Sequence, residues 1–374
     1  MKIELVDCDD RRQVGQFLGL PFRLYKEIPQ WVPPLAPDAK QMLNRKQHPF
    51  YRYGEAAFFL ALEGDQAVGR LAVLDNQRFN TLRNQRTAFF YLFECEEKAE
   101  VAQGLFEAAF VWARGRGLDK VIGPKGFSPL DGLGLLVRGF EHQAIFGMPY
   151  HLPYYPRLVE AVGFTKVRDI LSGFIPDEQN YQFPEKFQRV AEKVMERRGL
   201  WVWNARNRRD LRALVHHLKD SFNAVMGSIY TNVPVTDEEA DRLFQQLIWF
   251  ADPNLIKLVM KGDQAVGFFF AYPDISAAVR RTRGRVFPLG WLELLRESRR
   301  TRRVTLNAFG ISEDYRGLGG TVLLINEVYK SIIAGGYQHL EFAQARADNQ
   351  EMLREMEFLG LNYYKAHRIY ERLL

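Results

Sequence analysis

A short internal repeat most strongly limits how this chain can fold. The hexapeptide GDQAVG occurs at residues 64–69 and again at 262–267, which is an offset of 198 residues. Residues 158–164 resemble residues 356–361, with their glycines at an offset of 197. Two matches in nearly one register predict a duplicated domain. We expect three parts: a first domain at 1–176, a linker helix at 177–199 and a second domain at 200–374.

The pattern within each half is that of an α/β domain. Apolar runs flank turn residues 63–66 in the first half and 261–267 in the second, which predicts β-hairpins. Apolar residues at helical spacing cover 96–116, and a further strand begins at Lys120. We therefore expect an α/β fold of two tandem domains, each a mixed sheet with helices on both faces.

The composition excludes several classes of protein. Of the 374 residues, 47% are hydrophobic and 26% are charged, which is typical of a soluble globular protein. The N-terminus has no leader pattern, and no run approaches ~18 uncharged apolar residues. Cys8 and Cys95 are too few for a disulfide framework or a metal site. We therefore expect a cytoplasmic protein without a metal or a membrane partner.

The net charge of +6 comes from one segment of the chain. Residues 280–303 contain nine arginines and two glutamates, a local charge of +7. A nucleic acid is one possible partner for such a segment, but a solvated collar near an anionic cofactor is the simpler interpretation. Because Phe287 to Leu295 is rich in apolar residues, we expect this segment to pack on the protein and to bind no nucleic acid.

The stretch from Arg303 to Gly336 reads as a strand, a glycine-rich loop and an amphipathic helix. The loop contains Gly317, Gly319 and Gly320, which let the backbone approach a ligand closely. The first N–H groups of the following helix have no partner within the helix and attract phosphate. A plain connector is the alternative. The lysine-containing phosphate loop and the dinucleotide-binding glycine pattern are both absent.

Residues Arg316 to Thr321 resemble the [QR]-x-x-G-x-[GA] loop of the GNAT acyltransferase superfamily, with Thr321 departing at the last position. Asn349, followed by a helix and Gly360-Leu361, resembles the block that closes the cofactor site of that family. The tandem arrangement also resembles a group of bacterial GNAT proteins of similar length. The resemblance implies that the chain uses acetyl-CoA or another acyl-CoA.

The resemblance also implies which residues would hold this cofactor. The pyrophosphate would lie on the backbone of the loop, formed by Arg316, Gly317, Leu318, Gly319, Gly320 and Thr321. Asn349 would bind the pantetheine arm. We expect backbone N–H groups at Phe309, Gly310 and Ile311 to polarise the thioester carbonyl, with a bulge or close approach at Gly310.

The acid and the base are less clear from the sequence. Many GNAT enzymes carry a tyrosine four residues before the closing glycine, but this chain has Met356 there. The acid role is therefore either vacant or has moved, and we predict Tyr364 for it, with Tyr363 and Tyr370 as the other candidates. We predict Glu341 as the base, with Asp348 and His339 as alternatives. His216 and His217 are interpreted as surface residues.

The first half has no glycine in the corresponding loop, residues 93–99, and carries three glutamates there that we expect to repel a pyrophosphate. Only the second half should therefore bind acyl-CoA. The glycine- and proline-rich residues 123–140 and 148–156 either shape an acceptor pocket or simply cap the core.

The predicted function is N-acyl transfer from acyl-CoA to a small-molecule or peptide amine. An aminoacyl-tRNA-dependent transferase and a non-catalytic acyl-CoA sensor are the alternatives. The oligomeric state is not predicted.

Overall fold

The structure is a computed structural model that describes residues 1–129, 131–175, 181–205, 207–213, 215–226, 232–247 and 251–374. The strands within these residues are β1 Lys2–Leu5, β2 Gly54–Glu63, β3 Gln66–Asn76, β4 Thr87–Cys95, β5 Lys120–Gly123, β6 Leu135–Arg138, β7 Thr165–Phe174, β8 Leu200–Asn204, β9 Ile256–Lys261, β10 Gln264–Pro273, β11 Arg303–Ile311, β12 His339–Arg346 and β13 Asn362–Leu373.

The α-helices within the same residues are α1 Arg11–Leu24, α2 Ala36–Met42, α3 Gln77–Arg83, α4 Ala99–Arg114, α5 Tyr155–Ala161, α6 Glu185–Arg198, α7 Arg208–Ala213, α8 Val215–Met226, α9 Asp237–Leu247, α10 Ser276–Thr282, α11 Gly290–Arg300, α12 Gly320–Ala334 and α13 Gln350–Phe358. None of the helices that the structure describes is both long and apolar enough to cross a membrane.

The strands form one sheet that runs through both halves of the chain. Its order is β1-β2-β3-β4-β5-β13-β7-β12-β11-β10-β9-β8, and β6 pairs with β13. The last strand of each half lies beside the other half: β13 pairs with β5, and β7 pairs with β12. The two halves thus exchange a strand. The boundaries at 176 and 200 stay a prediction, although α6 lies inside the predicted linker.

The fold class is as predicted, because the sheet is mixed and has helices on both faces. Pairs β4–β5 and β11–β12 are parallel, whereas the neighbouring pairs are antiparallel. In the second half, α6, α12 and α13 share a hydrophobic core on one face. Helix α8 packs on the opposite face through Val225 and Phe222, which contact Phe268 of β10 and its neighbours.

The repeat detected in the sequence has the same structure in both halves. The two GDQAVG segments form the turns of hairpins β2–β3 and β9–β10. Gly64 has φ 59° and Gly262 has φ 58°, so both turns need the left-handed conformation that glycine adopts without strain. Duplication is therefore visible in the backbone as well as in the sequence.

The arginine-rich segment departs from its prediction. Helices α10 and α11 do pack together, and Leu294 is buried. However, Phe287 is 76% exposed, Leu289 67%, and Trp291 43%. The prediction that the segment packs on the protein is thus confirmed only in part: Leu294 packs in a core with α10, whereas Phe287, Leu289 and Trp291 stay exposed.

Candidate functional site

The glycine-rich loop joins β11 to α12 at the edge of the sheet. Gly317 has φ 72° and Gly319 has φ 85°, so both adopt the left-handed conformation. Among the described residues, no hydrogen-bond acceptor is recorded for the amides from Gly317 to Val322. These six consecutive N–H groups lie at the N-terminus of a 15-residue helix, an arrangement that binds phosphate oxygens.

Helix α6 restricts this loop from one side. A Cβ atom at Gly319 would lie 2.4 Å from Cγ2 of Val194, so a larger residue cannot be accommodated without moving α6. Arg316 and Gly317 are exposed, whereas Leu318, Gly319 and Thr321 are half-buried. The loop thus has one open side, toward solvent, and one side closed by the linker helix.

Strands β11 and β12 separate just before the loop. Their pairing ends at Leu306 and Phe342, so residues 307–311 have no partner on the β12 side. From Leu306 to Ile311 the free edge is about 17 Å long. The irregularity in β11 lies at Asn307, between the pairs Phe270–Ala308 and Ala271–Leu306.

The predicted bulge at Gly310 is therefore wrong, because Gly310 pairs regularly with Phe268. A close approach to Gly310 does occur, but it is made by a side chain of the protein and not by a ligand. A Cβ atom at Gly310 would lie 2.3 Å from Cγ1 of Val225 in α8.

An apolar cavity of about 100 Å³ begins where the two strands separate. Leu306, Phe309 and Phe342 line its near end, and Val328 of α12 and Met356 of α13 line its walls. The segment before α6 covers it, because the ring of Phe183 stacks on that of Tyr329 at 4.3 Å. The wall is almost entirely apolar and suits a hydrocarbon chain.

Glu341 and Tyr364, the two residues predicted to be catalytic, lie together. The Tyr364 hydroxyl donates a hydrogen bond to Oε1 of Glu341. Lys365 Nζ donates to the Tyr364 hydroxyl at 3.0 Å and lies 3.7 Å from Oε1 of Glu341. Side chains alternate along a strand, so Glu341 points away from the face that carries Leu340 and Phe342. Its carboxylate and the apolar cavity thus lie on opposite faces of the sheet.

This cluster is almost closed to solvent. Glu341 is 3% exposed and Lys365 is 4% exposed. A space of about 10 Å³ beside them is lined by Met148 of the first half and by His367, among others, and is about large enough for one water molecule. A substrate amine therefore reaches Glu341 only through a bridging water or after the loop around Met148 moves.

The charges in the cluster shift one another's pKa values. Burial raises the pKa of Glu341, but hydrogen bonding with His339, the Lys365 charge and the Tyr364 hydrogen bond outweigh it and hold that pKa below its ordinary value. Burial and the Glu341 charge raise the pKa of Tyr364 well above its usual range. Burial lowers the pKa of Lys365, which Glu341 only partly opposes. Glu341 is thus a carboxylate and Tyr364 a phenol at neutral pH.

The alternative acids and bases lie in less suitable places. Tyr370 is fully buried in the core of the first half and donates to Glu160 at 2.9 Å. Asp348 is exposed and paired with Arg346 at 2.9 Å. His339 lies 4.0 Å from Glu341 and therefore belongs to the same cluster.

Two further predicted residues can be placed only in part. The Tyr363 hydroxyl is buried, with no hydrogen-bond partner among the described residues. His217 is exposed, as predicted, whereas the side chain of His216 lies outside the described residues.

Asn349 has a structural role that the sequence did not predict. Its Oδ1 caps α13 by accepting the Met352 N–H at 3.4 Å. Its predicted contact with pantetheine stays a prediction, since the side-chain amide group of this exposed residue remains available.

The loop between β4 and α4 is the first-half counterpart of the glycine-rich loop, and it offers fewer free amides. Here the amides are already bonded: Cys95 N–H donates to the Tyr155 hydroxyl at 3.1 Å, and Glu96 N–H donates to Val68 O at 2.9 Å. Lys98 N–H donates to Glu96 O at 2.7 Å. A phosphate would find few free donors in this loop.

We predicted that the glutamates of residues 93–99 repel a pyrophosphate, but Glu94 is buried and Glu96 is paired with a cation. Glu96 is paired with Arg23 at 2.7 Å, and Glu94 is only 8% exposed. The Glu94 carboxylate accepts hydrogen bonds from the hydroxyls of Tyr25 and Tyr155. Burial raises the pKa of Glu94 to about 7, against the opposing effects of Arg70 and the tyrosines.

A larger cavity of about 270 Å³ lies next to Glu94, lined mostly by the first half and on one side by Glu239, Arg242 and Leu243 of α9. Its walls include Trp31, Val32 and Phe146, and it shares Tyr150 with the small space beside Glu341. The glycine- and proline-rich residues 123–140 and 148–156, which the sequence assigned either to a pocket or to a cap on the core, thus contribute to the lining of a cavity. The part of the second stretch around Met148 and Tyr150 separates this cavity from the Glu341 cluster.

The sequence missed Lys365 and Glu94. Neither residue has a motif around it, and only the pairing of β13 and the burial of β4 brings out their roles. No group of three metal-ligating side chains occurs in the part of the chain that the structure describes.

The fold is that of the GNAT acetyltransferases, repeated in tandem. No family model matches the chain. A tandem GNAT protein from the clavulanic acid biosynthesis pathway aligns with a TM-score of 0.56 at 11% identity, covering 100% of this chain and 98% of that one. A glucosamine N-acetyltransferase region in a fungal multi-domain β-N-acetylglucosaminidase aligns with a TM-score of 0.59 at 13% identity. The alignment covers 99% of this chain and 38% of that longer one.

One relative is similar over nearly its whole length. The bacterial ceramide synthase of Caulobacter vibrioides (strain NA1000 / CB15N) is 26% identical over 372 residues, which is 97% of this chain and 95% of that protein.

Proposed function

We propose that this protein transfers an acyl group from acyl-CoA to an amine and so forms an amide. The observation that carries the proposal is the loop of Gly317, Gly319 and Gly320 in the second half. It offers six free amides at a helix N-terminus, directly beside two strands that separate. In the first half, three amides of the corresponding loop, those of Cys95, Glu96 and Lys98, are bonded within the protein.

The geometry supports one orientation of the cofactor. The pyrophosphate binds to the amides from Gly317 to Val322, and the pantetheine arm follows the free edge of β11 for about 17 Å. This places the thioester near Leu306 and Asn307, where the strands meet. Backbone N–H groups on that free edge are available to stabilise negative charge on the thioester oxygen.

The reaction then needs a proton acceptor and a leaving group. The amine nitrogen attacks the thioester carbon, the C–N bond forms, the C–S bond breaks, and CoA leaves as a thiolate. The amine proton passes through a bridging water to Glu341, the carboxylate on the opposite face. Tyr364 and Lys365 hold that carboxylate in place. A thiol pKa of roughly 8.5 makes the thiolate a tolerable leaving group without a dedicated acid, in line with Met356 at the usual tyrosine position.

The acyl group is proposed to be a long hydrocarbon chain rather than acetyl. The apolar cavity starts at the point where the thioester would lie and extends along α12, so a chain can continue into it directly. Met356 contributes an adaptable apolar wall where a tyrosine hydroxyl would be polar. The name of the ceramide synthase relative agrees with this choice, because ceramides are amides of fatty acids.

The acceptor is proposed to be an amine with an apolar body, approaching on the Glu341 face. The larger cavity of the first half has apolar walls and is separated from the Glu341 cluster by the loop that contains Met148 and Tyr150. In the proposed arrangement, the first half holds the acceptor and the second half holds acyl-CoA.

An acyl-CoA sensor is the second candidate, because Glu341 is closed off from solvent. The test is thiol release from acyl-CoA esters of two to eighteen carbons, with long-chain amino alcohols, small amines and peptides as acceptors. Thiol release with a long-chain ester and a matching amide product is the expected result. Tight binding of acyl-CoA without thiol release for any acceptor would contradict the enzyme and favour the sensor.

A further inference from the structure

The arginine segment, defined here as residues 280–303, carries an unusual exposed surface. Phe287, Leu289, Trp291 and Leu292 are 76%, 67%, 43% and 45% exposed, and they lie within six consecutive residues. Large apolar side chains exposed in one contiguous group mark an interaction surface, whereas single ones are common. One side of α11 is covered by the protein, because Leu294 packs into a core that it shares with α10.

The charge around these apolar residues is strongly positive. The two acidic residues of the segment, Glu293 and Glu297, are both paired with Arg281, at 3.2 and 2.6 Å. Arg303 is paired with Asp274 at 3.6 Å. The other exposed arginines of the segment have no carboxylate partner among the described residues: Arg283, Arg285, Arg296, Arg299, Arg300 and Arg302. The surface therefore combines an apolar centre with an excess of unpaired positive charge.

We propose that the arginine segment docks the protein on the surface of a membrane that contains anionic lipids. A short amphipathic helix with aromatic and leucine side chains beside arginines fits the boundary between head groups and acyl chains. The arginines bind the anionic head groups, while Phe287, Leu289, Trp291 and Leu292 enter the acyl boundary. RNA would bind the arginines, but it would leave the leucines and Phe287 without an apolar partner.

The position of this surface gives docking a purpose. The Gly284 carbonyl accepts the Ala36 N–H at 2.8 Å, which fixes the segment against the residues that precede α2. Pro34 and Leu35 in that stretch line the cavity of about 270 Å³. A membrane bound at the arginine segment therefore lies beside the mouth of this cavity. An amphiphilic ligand could move between membrane and cavity without crossing much water, whether or not the proposed acyl transfer occurs.

Flotation of the full chain with lipid vesicles tests this proposal. We expect binding to vesicles of phosphatidylethanolamine with phosphatidylglycerol, weak binding to pure phosphatidylcholine, and a decrease as salt rises. Trp291 should also shift its fluorescence to the blue on binding, and this shift should be missing in the conservative variant Trp291→Phe. The fluorescence measurement does not depend on whether more severe variants fold.

Two sets of variants separate the contributions. Reversing three charges with Arg296→Glu, Arg299→Glu and Arg300→Glu should weaken binding to anionic vesicles by at least about 100-fold, since each arginine contributes about fivefold. The matched control changes the net charge equally at scattered exposed positions: Arg11→Glu, Arg114→Glu and Arg354→Glu. It should retain most of the binding.

The second set removes apolar surface without changing charge. Phe287→Ser with Leu289→Ser should weaken binding by about 10-fold or more, whereas Leu82→Ser and Val111→Ser, exposed elsewhere, should not. Equal loss in the scattered charge control would show a general charge effect and overturn the proposal. So would the absence of a Trp291 shift, or tight RNA binding at physiological salt that depends on these arginines while vesicle binding does not.

Discussion

The two halves of the protein share one sheet and one strand–loop–helix frame, but among the described residues their loops differ in how many amides are already bonded within the protein. In the second half, the amides from Gly317 to Val322 are free. In the first half, the amides of Cys95, Glu96 and Lys98 are bonded to Tyr155, Val68 and the loop itself. The first half thus keeps the surrounding sheet but offers fewer of the free donors on which the proposed cofactor site depends.

A second comparison concerns two buried carboxylates, Glu94 in the first half and Glu341 in the second. Both accept a tyrosine hydrogen bond, but their pKa values move in opposite directions. Lys365 lies 3.7 Å from Glu341 and Arg70 lies 4.0 Å from Glu94, and burial lowers the pKa of both cations. His339 adds a hydrogen bond at Glu341. Burial therefore decides the direction of the pKa shift at Glu94, whereas at Glu341 the His339 hydrogen bond, the Lys365 charge and the Tyr364 hydrogen bond together outweigh burial.

The largest expected effect distinguishes these carboxylates in catalysis. Glu341→Gln should lower kcat by about 10²–10⁴-fold, because it removes the proposed proton acceptor. Glu94→Gln should leave kcat within a few fold, since Glu94 lies on a different part of the sheet. Steady-state kinetics with one long-chain acyl-CoA and one amine measure both. Equal losses in the two variants would contradict the separate roles.

The pH profile sharpens the same prediction. If Glu341 is the base, its own limb of the pH–rate profile lies below about 4.5, under its lowered pKa, and is separate from the protonation of the acceptor amine at higher pH. A decrease in rate near pH 7 that disappears in Glu94→Gln would instead identify Glu94 as the base.

A negative charge placed in the glycine-rich loop of the second half should weaken CoA binding, and so remove the proposed functional difference between the two halves. Gly317 has φ 72° and open space around it, and both Asn and Asp tolerate this conformation. Gly317→Asp should weaken CoA binding by roughly 30-fold for each phosphate charge about 8 Å away, or about 2 kcal/mol. Gly317→Asn is the matched neutral control and should lose only a few fold. Calorimetry measures both, and similar affinities for the two variants would place the phosphates elsewhere.

Stability should depend on Glu94 and Glu341 with opposite signs. The pKa of Glu94 is raised from 4.5 to about 7, so the folded state holds its proton more tightly. Its contribution is fully present below pH 4.5 and is lost as the pH rises through about 7, a change of about 3 kcal/mol. The contribution of Glu341, whose pKa is lowered, is present above its ordinary pKa and is lost as the pH falls further.

Urea unfolding between pH 5 and 8 checks this prediction. Glu94→Gln should flatten the decline in the free energy of unfolding over this range, whereas Glu341→Gln should lower stability throughout it. A decline that persists unchanged in Glu94→Gln would assign it to another group.

The smallest expected effect concerns the apolar cavity. Val328→Phe fills space beside α12 and should lower kcat/KM for long acyl chains by about 10-fold or more, with less effect on acetyl-CoA. The control is Val111→Phe on α4, the counterpart helix, where the side chain is 67% exposed. A uniform loss for all chain lengths in Val328→Phe would mean that the cavity does not receive the chain.

Local features of this protein were predictable because they depend on nearby residues. The hairpins follow from the repeated GDQAVG turns, and the phosphate loop follows from three glycines between a strand and a helix. The resemblance to the GNAT family correctly indicated the tandem fold. It also placed Glu341 and Tyr364 in one site, although their contact depends on β13 and β12 both pairing with β7.

Long-range features were not predictable in the same way. Both halves end in strands of similar pattern, so nothing in the sequence shows that β7 and β13 exchange places. The burial of Glu94 depends on Tyr25 and Tyr155, which lie 69 and 61 residues away. The exposure of Phe287 contradicts the usual tendency of apolar residues to be buried, and this departure is the basis of the proposed membrane-docking surface.

The stoichiometry of CoA binding tests the central claim most directly. Calorimetric titration of the full chain with CoA or a long-chain acyl-CoA should give one site per chain, and that site should be strongly weakened by Gly317→Asp and unaffected by Glu96→Gln in the first half. Two sites per chain, or one site that responds to the substitution at Glu96 and not at Gly317, would contradict the assignment of the cofactor to the second half.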